Sequence, residues 1–252
     1  MIKFFRKIRY NLMEENKTGK YFKYAIGEIV LVVIGILIAL SINNWNENNK
    51  NKAQTRLYLE ALNLEIQSNI TYLKNSIDIS DNIMGRTNIY LTKLASQNET
   101  EPHDSIINLL PKNVYLSTPG YLPESALDDF INSGSIKNIT DVELKNKILK
   151  IESQYKFFTK SNEGVTKIYL ETIDSYFKSY LDLSATSEPI GSYKIPKLNY
   201  KPNRDAFINN MKFSNYLIEY IGWLNYSKNS MSRTNSYLTE CHKAINDYLD
   251  ND

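Results

Sequence analysis

The feature that most constrains this chain is an unbroken apolar run near its start. From Ile29 to Leu40 all 12 residues are apolar, and extending to Tyr24 and Ile42 gives 19 residues interrupted only by Glu28 and Ser41. A helix crossing a hydrocarbon core of about 30 Å needs roughly 20 such residues at about 1.5 Å each. Tyr24 and Trp45 stand 21 residues apart, and about 31 Å of helix between them puts an aromatic at each interface. Tyr21 and Phe22 reinforce the first belt. Two rival readings meet the same composition. A buried core helix is rarely apolar on every face over this length. A cleavable signal peptide would use Ala39-Leu40-Ser41 as its small-x-small site, but the segment before the run is long for one, and the apolar core of a signal peptide is shorter. The expectation is an uncleaved signal anchor, with a transmembrane helix over 24–45, a basic stub over 1–23 and a helical domain over 46–252.

Charge sets the expected orientation. Residues 1–23 hold seven Lys/Arg and the two acids Glu14 and Glu15, so the positive-inside rule places this end in the cytoplasm. Residues 1–42 carry +4, whereas the remaining 210 residues carry 23 basic and 25 acidic side chains, or −2. The basic total therefore belongs to the anchor. It gives no support for nucleic-acid binding, which needs a basic face on the folded domain. Phe5, Ile8 and Leu12 recur at helical spacing with Phe4 beside them and Lys3, Arg6, Lys7 and Arg9 around them. That pattern suits either an amphipathic helix on an anionic leaflet or a plain positive flank.

The stretch GEIVLVVIGILIALSINNWNE, Gly27 to Glu47, resembles the GEI-x-LVVIGILIAL-x-INNWNE anchor of uncharacterised single-pass membrane proteins of Bacteroidota, a domain of unknown function. A weaker similarity runs from Ala126 to Ile148, at Ser133-Gly134, Ile139, Asp141 and Leu144. The resemblance implies a Gram-negative inner membrane with the helical domain in the periplasm. It implies no activity and no functional residues.

Beyond the anchor, Asn43 to Lys52 is polar but free of Pro and Gly, and reads as a solvated stalk or as helix. Three seams follow. The first runs Leu59, Asn63, Ile66, Ile70, Leu73, Ile77, Ser80, Met84, Thr87, Leu91, Leu94; the second Leu144, Ile148, Ile151, Tyr155, Phe158, Asn162, Val165, Tyr169, Thr172, Tyr176, Tyr180, Leu183; the third Leu217, Ile221, Leu224, Ser227, Met231, Thr234, Leu238, Cys241, Ile245, Tyr248. Alternating steps of three and four over such lengths predict helices packed nearly parallel in a bundle or coiled coil. Thr140 with Glu143 predicts a capping box opening the second rod. Ser133-Gly134 predicts the stop of a short helix begun near Pro123-Glu124. Breaker-rich connections lie at 96–123 (Pro102, Pro111, Pro119, Gly120, Pro123) and 185–205 (Pro189, Gly191, Pro196, Pro202). The expected fold is all-α: one N-terminal transmembrane helix, then an elongated antiparallel bundle of about three long helices plus short ones. Its rods would run up, down and up, with the 96–139 connection at the far tip and the C-terminus pointing away from the membrane. The four seam tyrosines of the second rod either mark a wet seam, cavity or interface, or lie at the seam edge with their hydroxyls in solvent. The edge is the expectation.

Little chemistry is on offer. The chain has two histidines, His103 and His242, and one cysteine, Cys241. A zinc site needs about four ligands. Cys241 and His242 are adjacent, so on a helix they point about 100° apart and do not face each other. Cys241 falls on the third seam and reads as an inert buried thiol. A lone cysteine allows no intrachain disulfide. Nucleotide-binding and nucleophile-elbow motifs are missing. The acids Asp128, Asp129 and Asp182 read as solvated, and the Asn-x-Ser/Thr triplets at Asn69, Asn98, Asn138 and Asn225 as chance. No catalytic, cofactor-binding or metal residue is expected.

Two functions of different class remain. One is a non-enzymatic bitopic protein that scaffolds or interacts within an envelope complex as an oligomer, partnered by the lipid bilayer and by its own copies or other envelope proteins. The alternative is a periplasmic bundle that binds a small ligand and signals laterally through a partner's span. In either case Glu28, Gly35 and Ala39 fall along one helical stripe, and small residues there let spans approach closely. Glu28 lies only about 6 Å below Tyr24 along the helix, so it either faces a neighbouring span or snorkels to the interface.

Overall fold

The computed structural model describes residues 10, 18–96, 121–182, 184, 196–198, 200–201, 203, 205–208 and 210–251. Among these no residue lies in a strand. The elements are α1 (Thr18–Ala95), α2 (Ser125–Asn132), a 3-10 turn (Ser135–Asn138), α3 (Val142–Ile168), a π-helical segment (Tyr169–Asp174), α4 (Ser175–Tyr180), α5 (Asp205–Ile208) and α6 (Met211–Asn251). The chain divides into two compact units, Met1–Arg56 and Leu57–Asp252. The fold is all-α, with one long apolar N-terminal helix followed by further helices.

In the first unit, α1 carries a stretch of mean hydropathy 2.8 of which nothing is buried within the protein. Residues 43–52 are helical, which resolves the choice between stalk and helix. The pattern at Phe4, Phe5, Ile8 and Leu12 lies outside the described residues, as do 97–120 and most of 185–205.

In the second unit, α1 buries Leu59, Leu62, Ile66, Asn69, Leu73, Ser76, Ser80, Ile83, Thr87 and Tyr90, in unbroken steps of three and four. The predicted seam has this period, but alternate positions fall one residue earlier. Leu62, Ser76, Ile83 and Tyr90 are buried where Asn63, Ile77, Met84 and Leu91 were expected, and the latter four are half-buried. A helix packed against two neighbours buries a broad arc, and the sequence pattern favours the larger aliphatics at its edge. The second seam holds from Leu144 to Tyr169. The π segment then inserts one extra residue into the turn and rephases the stripe. Ile173, Tyr176 and Phe177 become buried, Thr172 is half-buried and Tyr180 is exposed.

The order of the rods departs from up, down and up. Asn63 donates a hydrogen bond to Asn246 (2.7 Å), and Lys228 pairs with Asp81 (2.6 Å), so α6 runs antiparallel to α1. Tyr237 donates to the Lys147 carbonyl (2.8 Å), and Tyr169 packs on Tyr220, so α6 is antiparallel to α3 as well. Hence α1 and α3 run parallel: Asn69 meets Tyr155 at one end, and Tyr90 and Tyr176 both reach the 206–207 carbonyls at the other. Glu65 accepts hydrogen bonds from Ser125 Oγ and from the N–H groups of Ala126 and Leu127, and so caps α2 beside the start of this unit rather than at its far tip. The C-terminal turns of α6 likewise lie beside Asn63, rather than pointing away. The 29 residues from Ser96 to Glu124 reach roughly 95 Å when extended, far more than the ~45 Å of α1 from Glu65 to Ala95, so the length of this connection never required adjacent rods to alternate.

The caps follow suit. α3 is capped by Asp141, whose Oδ1 accepts from Glu143 N (2.8 Å) and Leu144 N (3.0 Å), and not by Thr140. Asp141 stands one residue closer to the first turn, in an extended conformation (φ −72°, ψ 106°) that presents its carboxylate to both N–H groups. Gly134 takes φ 74° after α2 ends, as the helix stop requires.

Two apolar cores fill the unit. One joins Leu59–Leu73, Leu122–Phe158 and Met231–Ile245; the other is an aromatic cluster around Tyr90, Tyr176, Phe177, Phe207 and Phe213. Between them the interior is small and polar, with Ser76, Ser80, Ser161, Asn162, Ser227, Ser230 and Thr234 all buried.

Candidate functional site

Glu28, Gly35 and Ala39 lie on α1, with Glu28 half-buried and the other two exposed. A methyl at Gly35 would meet nothing within 4 Å, so its face is open to a neighbour. Trp45 is 68% exposed, and Tyr24 lies in the helix. Among the described residues nothing in the first unit covers Gly35 or Ala39.

A second site was not foreseen. A groove of about 720 Å³ opens between α3 and α6. From α3 come Phe157, Lys160, Ser161 and Gly164. From α6 come Glu219, Gly222, Trp223 and Tyr226, spaced i, i+3, i+4 and i+7 on one helical face. Two glycines inside helices each forfeit about 1 kcal/mol relative to alanine, so each needs a compensating reason. At Gly164 the reason is contact: a Cβ there would lie 2.5 Å from Cζ3 and 2.8 Å from Cε3 of Trp223. At Gly222 a Cβ would meet nothing within 4 Å, so that glycine keeps the groove clear. The Trp223 and Tyr226 rings meet at 84° with centroids 5.9 Å apart, forming two perpendicular walls. The Arg233 guanidinium of α6, outside the lining, sits 5.3 Å from the Phe157 ring centroid. The signal that could have found this site is the pair of helix-interior glycines together with the chain's second tryptophan.

The Gly164 contact gives a direct expectation. Gly164→Ala forces the indole out of its seat. In a Trp45→Phe background, where Trp223 is the sole tryptophan, its emission should shift to the red and become more quenchable by acrylamide. An unchanged spectrum would mean that the backbones yield instead.

The seam tyrosines resolve differently from the expected edge placement. Tyr155 is buried and its hydroxyl accepts from Asn69 Nδ2 (2.8 Å), which also donates to the Pro123 carbonyl (2.8 Å). Tyr176 is buried and donates to the Ala206 carbonyl (2.7 Å), as Tyr90 does to that of Phe207 (2.7 Å). Tyr180 alone of the four is exposed. The partners are within the chain because helix ends and connections, absent from a seam-only picture, supply carbonyls. Asn69 itself is buried.

Cys241 is fully buried, and burial pushes its thiol up to about 11. Burial also raises Tyr90, Tyr155 and Tyr237 above the usual phenol range, and Tyr220 to about 12. Each folded-state value is raised, so the stabilisation is complete below the unfolded-state pKa and is lost as pH climbs through the folded one. For Tyr220 alone, moving from 10.0 to about 12 is worth roughly 2–3 kcal/mol. The melting temperature of the domain should be flat from pH 7 to 9 and fall steeply between about pH 9 and 12. A flat profile to pH 12 would show these groups to be solvated.

His242 Nε2 lies 3.3 Å from Asn246 Nδ2, while His103 lies outside the described residues. Asp128 and Asp129 are exposed. Asp182 ties a turn, accepting from Ser184 N (3.0 Å) and Tyr200 N (3.0 Å). Among the described residues no three His, Cys, Asp or Glu side chains group as a metal site would.

Among known proteins, a family of unknown function (DUF6090) matches residues 28–126. The match begins at Glu28 and runs through the apolar stretch and the first rod into α2, leaving α3 and α6, with the groove, outside it. No curated protein and no solved structure matches the chain.

Proposed function

We propose that this is a bitopic inner-membrane protein of a Gram-negative, Bacteroidota-type envelope. Its N-terminus is cytoplasmic and its helical domain periplasmic, and it scaffolds or joins an envelope complex as an oligomer rather than catalysing a reaction. The observation that carries the reading is the apolar stretch of α1, none of which is buried by the rest of the chain. About 18 apolar residues left in water are untenable for a soluble chain, so lipid or a partner span must cover them. The open face at Gly35 and Ala39 supplies the contact. Small residues let a second span approach, and Glu28 near the inner interface bonds to it.

The test is purification in mild detergent after crosslinking, comparing the native chain with Glu28→Leu and with Gly35→Leu. The reading expects a defined oligomer or stoichiometric envelope partners, lost in Gly35→Leu and weakened in Glu28→Leu. A native chain that stays monomeric and co-purifies with nothing would sink it.

A further inference from the structure

The α3–α6 groove has charge of opposite sign at its two ends and aromatic surface between them. Trp223 packs on Gly164, which fixes the antiparallel register there. Lys160 lies one turn from Gly164 toward the C-terminal end of α6, and Glu219 one turn from Trp223 toward its N-terminal end. Along the α6 axis the two are therefore separated by roughly 12 Å at 1.5 Å per residue. Neither forms an ion pair with the other or with any described residue. The perpendicular Trp223 and Tyr226 rings present π surface beside Glu219. Aromatic walls with a carboxylate nearby favour an organic ammonium, whose diffuse charge sheds water easily and is drawn to the ring faces. At the opposite end Lys160 offers a flexible ammonium to an anion. At about 720 Å³ the groove falls within the range of small-molecule sites, and Gly222, one of its lining residues, leaves open space beside it.

We propose that this groove binds a small zwitterion, its alkylammonium end between Trp223, Tyr226 and Glu219 and its anionic end toward Lys160. The proposal is independent of whether the chain scaffolds an envelope complex.

The experiment uses the full chain carrying Trp45→Phe, purified in a sugar-headgroup detergent, so that Trp223 alone reports. Phosphocholine, choline and the uncharged isostere 3,3-dimethylbutan-1-ol are titrated in parallel. The expected result is saturable quenching by phosphocholine, at least tenfold weaker binding of choline, and no response to the alcohol. Lys160→Gln should bring phosphocholine to the level of choline while leaving choline unchanged. Gly222→Leu should abolish both responses with an unaltered circular-dichroism melt, since it fills open space. Competition by phosphatidylcholine vesicles would identify a lipid headgroup as the source, and vesicles without effect a free solute. Quenching by the alcohol equal to that by choline, an unaffected Lys160→Gln variant, or no saturable quenching would each overturn the proposal. So would Trp223 emission that depends on protein concentration without ligand, since that would mean a second copy fills the groove.

Discussion

Replacing Phe213 by alanine is expected to destabilise the helical domain by about 3–5 kcal/mol, the range for emptying a buried phenylalanine site. Phe213 is completely buried at the first turn of α6, where the Asn210 side chain accepts from its N–H (3.2 Å). Its ring stacks on Tyr176 at 4.9 Å and lies 5.1 Å from Phe207, 5.8 Å from Phe177 and 6.1 Å from Tyr90. Its ring thus joins α1, α4, α5 and α6. With total stabilities of roughly 5–15 kcal/mol for native domains, the loss should leave the domain marginal. Urea titration should show the midpoint falling. Hydrogen exchange should show amides of 165–177 and 211–224 losing protection before those of 144–158, because the polar layer of Ser76, Ser80, Asn162 and Ser227 separates the two cores. A loss under 1 kcal/mol would mean that the aromatic cluster is not what closes this end.

Much of this packing is legible in the sequence, for physical reasons. A 3.5-residue repeat has to bury one face, so the α3 and α6 seams emerge almost residue by residue, Leu144 to Tyr169 and Leu224 to Ile245. The first seam keeps its period yet slips by one at alternate positions, because Ser76 is central and Ile77 peripheral, the reverse of what hydrophobicity alone suggests. Direction was not legible. Seams carry no arrow, and the parallel placement of α1 and α3 depends on cross-helix pairs such as Asn69–Tyr155 and Asp81–Lys228. The π segment leaves no compositional mark, so the seam pattern runs through Thr172 while the structure buries Ile173. The groove was missed because Gly164 and Gly222 look like ordinary interruptions until Trp223 is seen against one of them and nothing against the other.

The second large effect concerns the anchor. Val33→Arg combined with Ile36→Arg places two guanidinium groups mid-stretch, each costing about 2.5–3.5 kcal/mol by translocon insertion. Together that is on the order of 5–7 kcal/mol, a shift of more than a thousandfold in the inserted fraction. Both native side chains are exposed, so the fold of the helical domain has no stake in them. The doubly substituted chain should therefore leave the membrane pellet after alkaline carbonate washing, or fail to be exported, while its purified domain melts as before. Retention in the pellet at the native level would show that α1 is held by protein rather than by lipid.

The proposed topology rests on one claim, that residues 24–45 cross a membrane and leave the helical domain on the non-cytoplasmic side. Single-cysteine accessibility tests it most directly. In a Cys241→Ser background, one cysteine is placed at Lys7 and, in a separate chain, one at the exposed Glu143. Spheroplasts are then treated with a membrane-impermeant maleimide. The account predicts labelling of the Glu143→Cys chain in intact spheroplasts, and of the Lys7→Cys chain only after the membrane is permeabilised. Equal labelling of both before permeabilisation, or the reverse order, would contradict it.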